Sequence, residues 1–172
     1  MPCNLNFNQC NNFRNFPRPI FTCYRNLISL LNQSETTIIN PTIETANFIG
    51  GIVPQTVIAS GNVVPSTSFN QGSAINYDNA GTFTLINGRY LISYNLSGII
   101  SANGTSSYSI YLNGNSIPSS FASSSGTAGG ASTLSNSVFV EITSPTGAIT
   151  IKNANTQPQT LNSGSVTIQK II

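Results

Sequence analysis

Cysteine is the most reactive side chain in this sequence, and all three cysteines lie near the N-terminus. Cys3, Cys10 and Cys23 are loosely spaced, and the 172-residue chain contains no histidine. A structural zinc site needs four nitrogen or sulfur ligands, and a catalytic thiol needs a base such as histidine to activate it. We therefore expect neither a metal site nor a cysteine nucleophile, and no cofactor.

Disulfide formation is the remaining chemistry of these three residues. One bridge within a chain would leave the third cysteine unpaired, and an odd count in a terminal segment favours bonds between subunits. Free thiols in a reducing compartment are the alternative. The sequence leaves the choice between these two states open.

The acidic residues do not form a catalytic pattern. There are four, and they are far apart in the sequence: Glu35, Glu44, Asp78 and Glu141. Hydrolysis by carboxylates needs two of them close together, or one beside another proton-transfer group. Glu141 stands between two apolar residues, so on a strand its side chain should point outward. We predict that the protein is not an enzyme.

The composition excludes two classes of partner. Charged residues make up 6% of the chain and the formal net charge is +2, whereas an average domain has about 25% charged residues. Such a weak charge, with no basic patch, argues against nucleic acid. No apolar run approaches the roughly 20 residues that cross a bilayer, so membrane insertion is not expected. A nearly uncharged surface favours self-association.

The sequence divides into an N-terminal arm (residues 1–45) and a β-rich domain (residues 46–172). Residues 1–19 are rich in Asn, Phe and Pro without periodicity, which is typical of an extended segment. A stripe with helical spacing follows and predicts a short helix over about residues 20–32; its members are Phe21, Tyr24, Ile28 and Leu31. Pro41 and the β-branched residues around it argue against a longer helix.

The β-rich domain carries period-2 alternation around Asn-Gly pairs. In TFTLINGRYLISYNL (82–96), apolar residues alternate on both sides of Asn87-Gly88, and the pattern returns at Asn113-Gly114. Each pair predicts a hairpin turn. The predicted strands are 47–52, 56–59, 62–69, 73–77, 82–86, 89–99, 106–113, 116–122, 132–143, 147–153 and 164–172. The Gly/Ser-rich segment 122–132 is interpreted as a mobile loop or a strand crossing. The predicted fold is an all-β antiparallel jelly-roll sandwich.

Four segments of this domain resemble the tumour-necrosis-factor-like jelly roll, which complement-type globular heads and the C-terminal heads of bacterial collagen-like spore glycoproteins share. They are SGNVVPSTSFN (60–70), AGTFTLINGRYLISYNLSG (80–98), SYSIYLNGNSIP (107–118) and SVTIQKII (165–172). The resemblance covers about residues 56–172. It includes neither the Gly-X-Y collagen repeat nor the N-terminal spore-targeting motif of those glycoproteins.

The resemblance implies a homotrimer, in which three jelly rolls pack around a threefold axis through aromatic and aliphatic residues. Tyr90, Ile92 and Tyr94 alternate on one face of a predicted strand and are our candidates for this contact, because tyrosine suits interfaces. The alternative is that these three side chains are ordinary core residues of one subunit.

The N-terminal arm has an unusually large apolar content for a segment without a core of its own. We expect Phe7, Phe13, Phe16, Ile20 and Phe21 to dock into a neighbouring trimer, and Cys3, Cys10 and Cys23 to add disulfide bonds there. The alternative is that the apolar side chains pack on their own domain.

Two functions of different class follow. The first is a structural subunit of a fibre or appendage on the extracellular surface of a bacterial spore, in which homotrimers stack head to tail through the arm. The second is a trimeric head that binds a glycan or protein, displayed on a spore, cell or phage surface. An anchor protein or a surface ligand would be a further partner in either case.

Overall fold

The computed structural model describes residues 46–171, which form ten strands and one short 3₁₀ helix (Pro118–Ser120). The strands are β1 (Asn47–Ile52), β2 (Gln55–Val57), β3 (Ser66–Gln71), β4 (Ile75–Tyr77), β5 (Thr82–Ile99), β6 (Thr105–Leu112), β7 (Asn115–Ser116), β8 (Ala122–Ser125), β9 (Ala131–Asn153) and β10 (Gln159–Lys170). No helix in this part of the chain is long and apolar enough to cross a membrane. The predicted helix over residues 20–32 and the arm lie outside the described residues, so the predicted domain boundary stays a prediction.

All pairings are antiparallel, in the order β3-β1-β10-β5-β9-β6-β7, with β2 on β10, β4 on β5 and β8 on β6. Strands β5 and β9 pair over almost their whole length. On one side of this ribbon, β10 pairs with the later part of β5 and not with its first residues. On the other side, β6 pairs with the last residues of β9 and not with its earlier part. The long β5–β9 ribbon therefore contributes to two layers of the sandwich.

We call the two halves layer 1 (β3, β1, β10, residues 88–99 and residues 131–142) and layer 2 (β4, β6, β7, β8, residues 82–86 and residues 146–153). Aromatic contacts show that the layers face each other. The ring of Phe48 in layer 1 lies 4.7 Å from that of Phe83 and 5.1 Å from that of Tyr77, both in layer 2. The core between the layers is apolar, and its members alternate with outward-facing residues along each strand. The predicted all-β jelly-roll fold is confirmed.

Asn87-Gly88 does not form the predicted hairpin turn. β5 continues through this pair, and only the register with β9 shifts between Ile86 and Gly88. The Asn87 amide donates to the carbonyl of Thr143 on β9, at 3.2 Å. Residues before and after the pair each find their partner on β9, so the Asn-Gly pair marks the corner where the ribbon passes from layer 2 to layer 1. A bulge of this kind also breaks alternation, which is why the sequence pattern looks like a turn.

Asn113-Gly114 forms the predicted turn. It joins β6 to β7, with Tyr111 opposite Ser116 and Leu112 opposite Asn115. Both turn residues have positive φ, 49° at Asn113 and 81° at Gly114, which is the signature of a two-residue hairpin loop. The Asn113 side chain also accepts a hydrogen bond from the Ala148 backbone N–H at 2.8 Å. The turn is therefore tied to β9 as well.

The predicted strand 116–122 is wrong, because most of it is the turn into the 3₁₀ helix and the helix itself. The predicted strands 132–143 and 147–153 are two parts of the continuous β9. The other predicted strands have counterparts with shifted ends. The final strand starts at Gln159 rather than 164. The Gly/Ser-rich segment 122–132 is only partly a loop, because Ala122–Ser125 forms β8 against β6. Serine is small enough to pack where strands approach closely, so a serine-rich sequence can pair even though its composition resembles that of a loop.

Candidate self-association surface

Tyr90, Ile92 and Tyr94 lie in the core of their own chain, and this corrects their assignment to a contact between subunits. Their exposed fractions are 0%, 0% and 2%. The Tyr94 hydroxyl donates to the backbone carbonyls of Ser120 and Tyr108, at 2.8 and 3.1 Å. The face of β5 that carries them points between the two layers, so their side chains offer almost no surface to another molecule.

The opposite side of the same strand faces solvent, and we call the solvent side of layer 1 the outer face. Leu91 lies on it, directly opposite Phe139 of β9. Phe139 is 78% exposed, although the residues on either side of it in β9 are buried. An aromatic side chain held in water on a regular strand is unusual and is typical of an interaction surface. Leu91 and Phe139 are the apolar centre of this half of the outer face.

Thr167 and Gln169 of the intervening strand β10 separate this centre from a second apolar pair. Ser93 and Ser137 lie beside Leu91 and Phe139, and their hydroxyl oxygens are 2.7 Å apart. Further across the face, Ile49 of β1 lies opposite Phe69 of β3, with 42% and 46% of each side chain exposed. Uncharged side chains therefore cover most of the outer face.

Charge is concentrated at one end of the outer face. Arg89 and Glu141 are cross-strand neighbours whose Nε and Oε1 atoms are 3.3 Å apart, and both side chains are more than half exposed. With Lys170 they line an open recess of about 600 Å³ at the corner of the β5–β9 ribbon. An exposed ion pair of this kind contributes little to stability. The outward direction predicted for Glu141 is confirmed.

The other described acid, Asp78, belongs to a turn. Its carboxylate accepts hydrogen bonds from the backbone N–H groups of Ala80 and Thr82, at 2.7 and 2.9 Å. Desolvation raises the pKa of this carboxyl. The hydrogen bonds together outweigh desolvation, the one from Thr82 contributing most, so they hold the pKa below its usual value. Within residues 46–171 no group of three His, Cys, Asp or Glu side chains is close enough to hold a metal ion. Asp78 therefore has a structural explanation, and the absence of enzymatic activity stays a prediction.

Sequence reasoning did not single out Phe139, although a signal for it was available. The alternation that predicts an outward Glu141 also places residue 139 on the same side of β9, because side chains two residues apart share a face. A large aromatic at an outward position is the signal. By contrast, the arm candidates lie outside the described residues and remain predictions: Cys3, Phe7, Cys10, Phe13, Phe16, Ile20, Phe21 and Cys23.

Comparison with known proteins identifies the fold. No protein-family profile and no curated protein matches the sequence. Among solved structures, the globular domain of zebrafish complement 1qA matches with a TM-score of 0.56 and 10% identity, covering 75% of this chain and 97% of that one. A murine APRIL crystal structure matches with a TM-score of 0.55 and 11% identity, covering 73% of this chain and 99% of that one. The Eiger TNF of S. frugiperda matches with a TM-score of 0.54 and 14% identity, covering 75% of this chain and 92% of that one.

These neighbours define the class of the domain: it has the jelly-roll fold of tumour-necrosis-factor and complement 1q heads. At 10 to 14% identity the likeness shows the fold alone. The sequence-based recognition of a tumour-necrosis-factor-like jelly roll is confirmed, whereas the likeness to spore-surface heads is untested.

Proposed function

We propose that this chain is a structural subunit of a fibre on the surface of a bacterial spore, built from homotrimeric jelly-roll heads stacked head to tail. The observation that carries the proposal is the outer face, where Phe139 is exposed beside Leu91 on a sheet surface with little charge. The fold supports it, because the jelly rolls that the sequence resembles assemble as trimers. No enzymatic step is part of this function.

The trimer contact is placed at the Leu91–Phe139 centre of the outer face. Burying a phenylalanine side chain contributes about 2–3 kcal/mol, and an aromatic in the middle of an interface often dominates its energy. The serine-rich surface around it has few charges to desolvate, so the contact avoids the cost of burying unpaired ions. These two properties support a contact between subunits at this face, and the number of three comes from the resemblance.

Stacking of trimers is assigned to the arm. Each trimer would present three arms, and the apolar side chains of residues 7–21 would dock on the next trimer. A contact between two different surfaces that does not close on itself generates a filament. Three linked contacts also hold far more firmly than one. Disulfide bonds through Cys3, Cys10 and Cys23 would make the joint durable outside the cell, where such bonds persist.

Electron microscopy of the purified full-length chain tests this function. We expect filaments with a regular axial repeat from the full chain, and discrete trimers without filaments after deletion of residues 1–19. Serine at all three cysteine positions should leave filaments that dissociate more easily. Discrete trimers from the full-length chain would contradict the fibre and favour the second function, a trimeric head that binds a glycan or protein.

A further inference from the structure

Strand β3 forms one end of layer 1 and has an open edge. Within the described residues its only strand neighbour is β1. All six side chains from Ser66 to Gln71 are exposed. The side of β3 that faces away from β1 therefore presents backbone N–H and C=O groups to which an additional strand can hydrogen bond.

This edge lacks the usual protection against strand addition. Exposed edges commonly carry lysine or proline, or are covered by another segment. The sequence STSFNQ of β3 contains neither charge nor proline. Its one irregularity is a bulge at Ser68, whereas residues 69–71 pair with β1 in regular register. The opposite end of layer 1 is covered: the Asn136 side chain of β9 donates to the carbonyls of Ser119 and Phe121, both at 3.2 Å, which holds the 3₁₀ segment beside that edge.

The side chains of β3 indicate what kind of strand fits. Phe69 lies on the outer face opposite Ile49, and about half of each side chain remains exposed. A strand added next to β3 would bring its alternate side chains beside Phe69 on this face. An uncharged segment with alternating apolar residues would cover the pair, whereas a charged one would be desolvated without a partner.

The N-terminal arm contains a segment with this pattern. In NLNFNQ (4–9), Leu5 and Phe7 alternate with asparagine, and the segment carries no charge. Its last three residues, Phe-Asn-Gln, repeat residues 69–71 of β3. Identical segments that pair in register stack equal side chains on each other, and phenylalanine and asparagine or glutamine gain from such stacking.

We propose that the open edge of β3 receives residues 4–9 of a second copy of this chain as an added strand. Backbone hydrogen bonds supply the joint, and Phe7 lies on the outer face with Phe69, either directly beside it or diagonal to it. Residues 10–45 would reach roughly 120 Å if fully extended, so the arm is long enough to leave its own domain. This inference rests on the proposed fibre, for which it names the acceptor surface of the arm.

Cysteine cross-linking between mixed proteins tests the joint. In a chain with serine at positions 3, 10 and 23, one protein carries Asn8→Cys and the other carries Asn70→Cys. Residues 8 and 70 are the central residues of the two Phe-Asn-Gln segments, so they lie side by side whether the segments pair in parallel or antiparallel about this centre. Neighbouring strands are close enough for a disulfide between them. The matched control replaces Asn70→Cys by Ser135→Cys, an exposed position on β9 at the other end of the layer.

We expect a cross-linked pair of chains from the Asn8→Cys and Asn70→Cys mixture and none from the control. A third protein carries both Asn8→Cys and Asn70→Cys in one chain. If only this protein forms a disulfide, and that disulfide lies within the single chain, the arm binds its own domain and the inference is overturned. Filaments in the micrograph without the cross-link would overturn the inference and leave the fibre intact.

A substitution on the edge provides an independent readout. Phe69→Lys places a charge beside the added strand, so we expect folded trimers without filaments. Phe121→Lys introduces the same charge at a half-exposed phenylalanine outside β3 and should leave the filaments unchanged. Filaments of normal length from Phe69→Lys would contradict the β3 edge as the acceptor, and loss of filaments from both variants would show that the effect is not specific to this edge.

Discussion

Two buried tyrosines, Tyr94 and Tyr108, differ in how their hydroxyl groups are satisfied. Both side chains are almost fully buried, and burial raises the pKa of both phenols. The Tyr94 hydroxyl donates to two backbone carbonyls, whereas the Tyr108 hydroxyl has no hydrogen-bond partner among the described residues. A buried polar group without a partner costs about 1–3 kcal/mol. The two residues therefore form a matched pair for mutation.

We predict that Tyr94→Phe lowers the free energy of unfolding by about 1–2 kcal/mol, because it removes the hydrogen bonds to Ser120 and Tyr108. Tyr108→Phe should leave this free energy unchanged or raise it by about 1 kcal/mol, since it removes an unpaired hydroxyl without changing the packing. Urea denaturation followed by circular dichroism measures both. A larger loss for Tyr108→Phe than for Tyr94→Phe would contradict the hydrogen-bond assignment.

At the level of strands and turns, two glycines are required for different reasons. Gly114 has a φ of 81° in the hairpin turn, and no atom lies where its Cβ would be. Gly98 lies in β5 where β10 approaches so closely that a Cβ would overlap the carbonyl oxygen of Thr160. The first glycine relieves backbone strain, and the second permits the contact of two strands.

We predict that Gly114→Ala costs about 1–2 kcal/mol of unfolding free energy, which is the cost of a left-handed conformation for a residue with a Cβ. Gly98→Ala should cost more, because relief of the overlap must separate β5 from β10. Thermal unfolding of the two variants compares the costs directly. An equal or smaller effect at position 98 would show that the close approach of these strands is not rigid.

The two Asn-Gly pairs also show how far the sequence predicts the elements. Local alternation and turn chemistry predict the strand content, and they locate the real turn at Asn113-Gly114. They fail at Asn87-Gly88, because whether a strand folds back or continues depends on its partner β9, which is more than 40 residues away along the chain. For the candidate site, the alternation of inward and outward side chains along β9 is enough to place Phe139 outward. It does not show that Leu91 lies opposite Phe139. Cross-strand register is a property of the folded sheet.

At the level of the whole molecule, the scarcity of titratable groups makes stability depend little on pH near neutrality. The chain has no histidine, and Asp78 has a lowered pKa in the folded state. A lowered carboxyl pKa contributes stability that is present above the unfolded value of about 4 and is lost as the pH falls further. Acid should therefore begin to destabilise the protein only below about pH 4.

We predict that the free energy of unfolding is nearly constant between about pH 5 and 8 and falls above about pH 10. The pKa values of Tyr77, Tyr94 and Tyr108 are raised by burial in the folded chain. Their stabilising contribution is fully present below the unfolded pKa of about 10, and it is lost at higher pH because only the unfolded chain ionises readily. Urea titrations across this range measure the profile. A clear slope between pH 5 and 7 would contradict it.

Self-association through the outer face is the central claim, and a light-scattering mass tests it most directly. We expect the chain without residues 1–19 to form no filaments, so its mass reports the head without the connecting segment. We predict three times the subunit mass for this protein and for its Phe121→Lys variant, and the mass of a single subunit for Phe139→Lys, with unchanged circular dichroism. A stable monomer of the parent at micromolar concentration would contradict the trimer. A trimer of Phe139→Lys would contradict the Leu91–Phe139 centre as its interface.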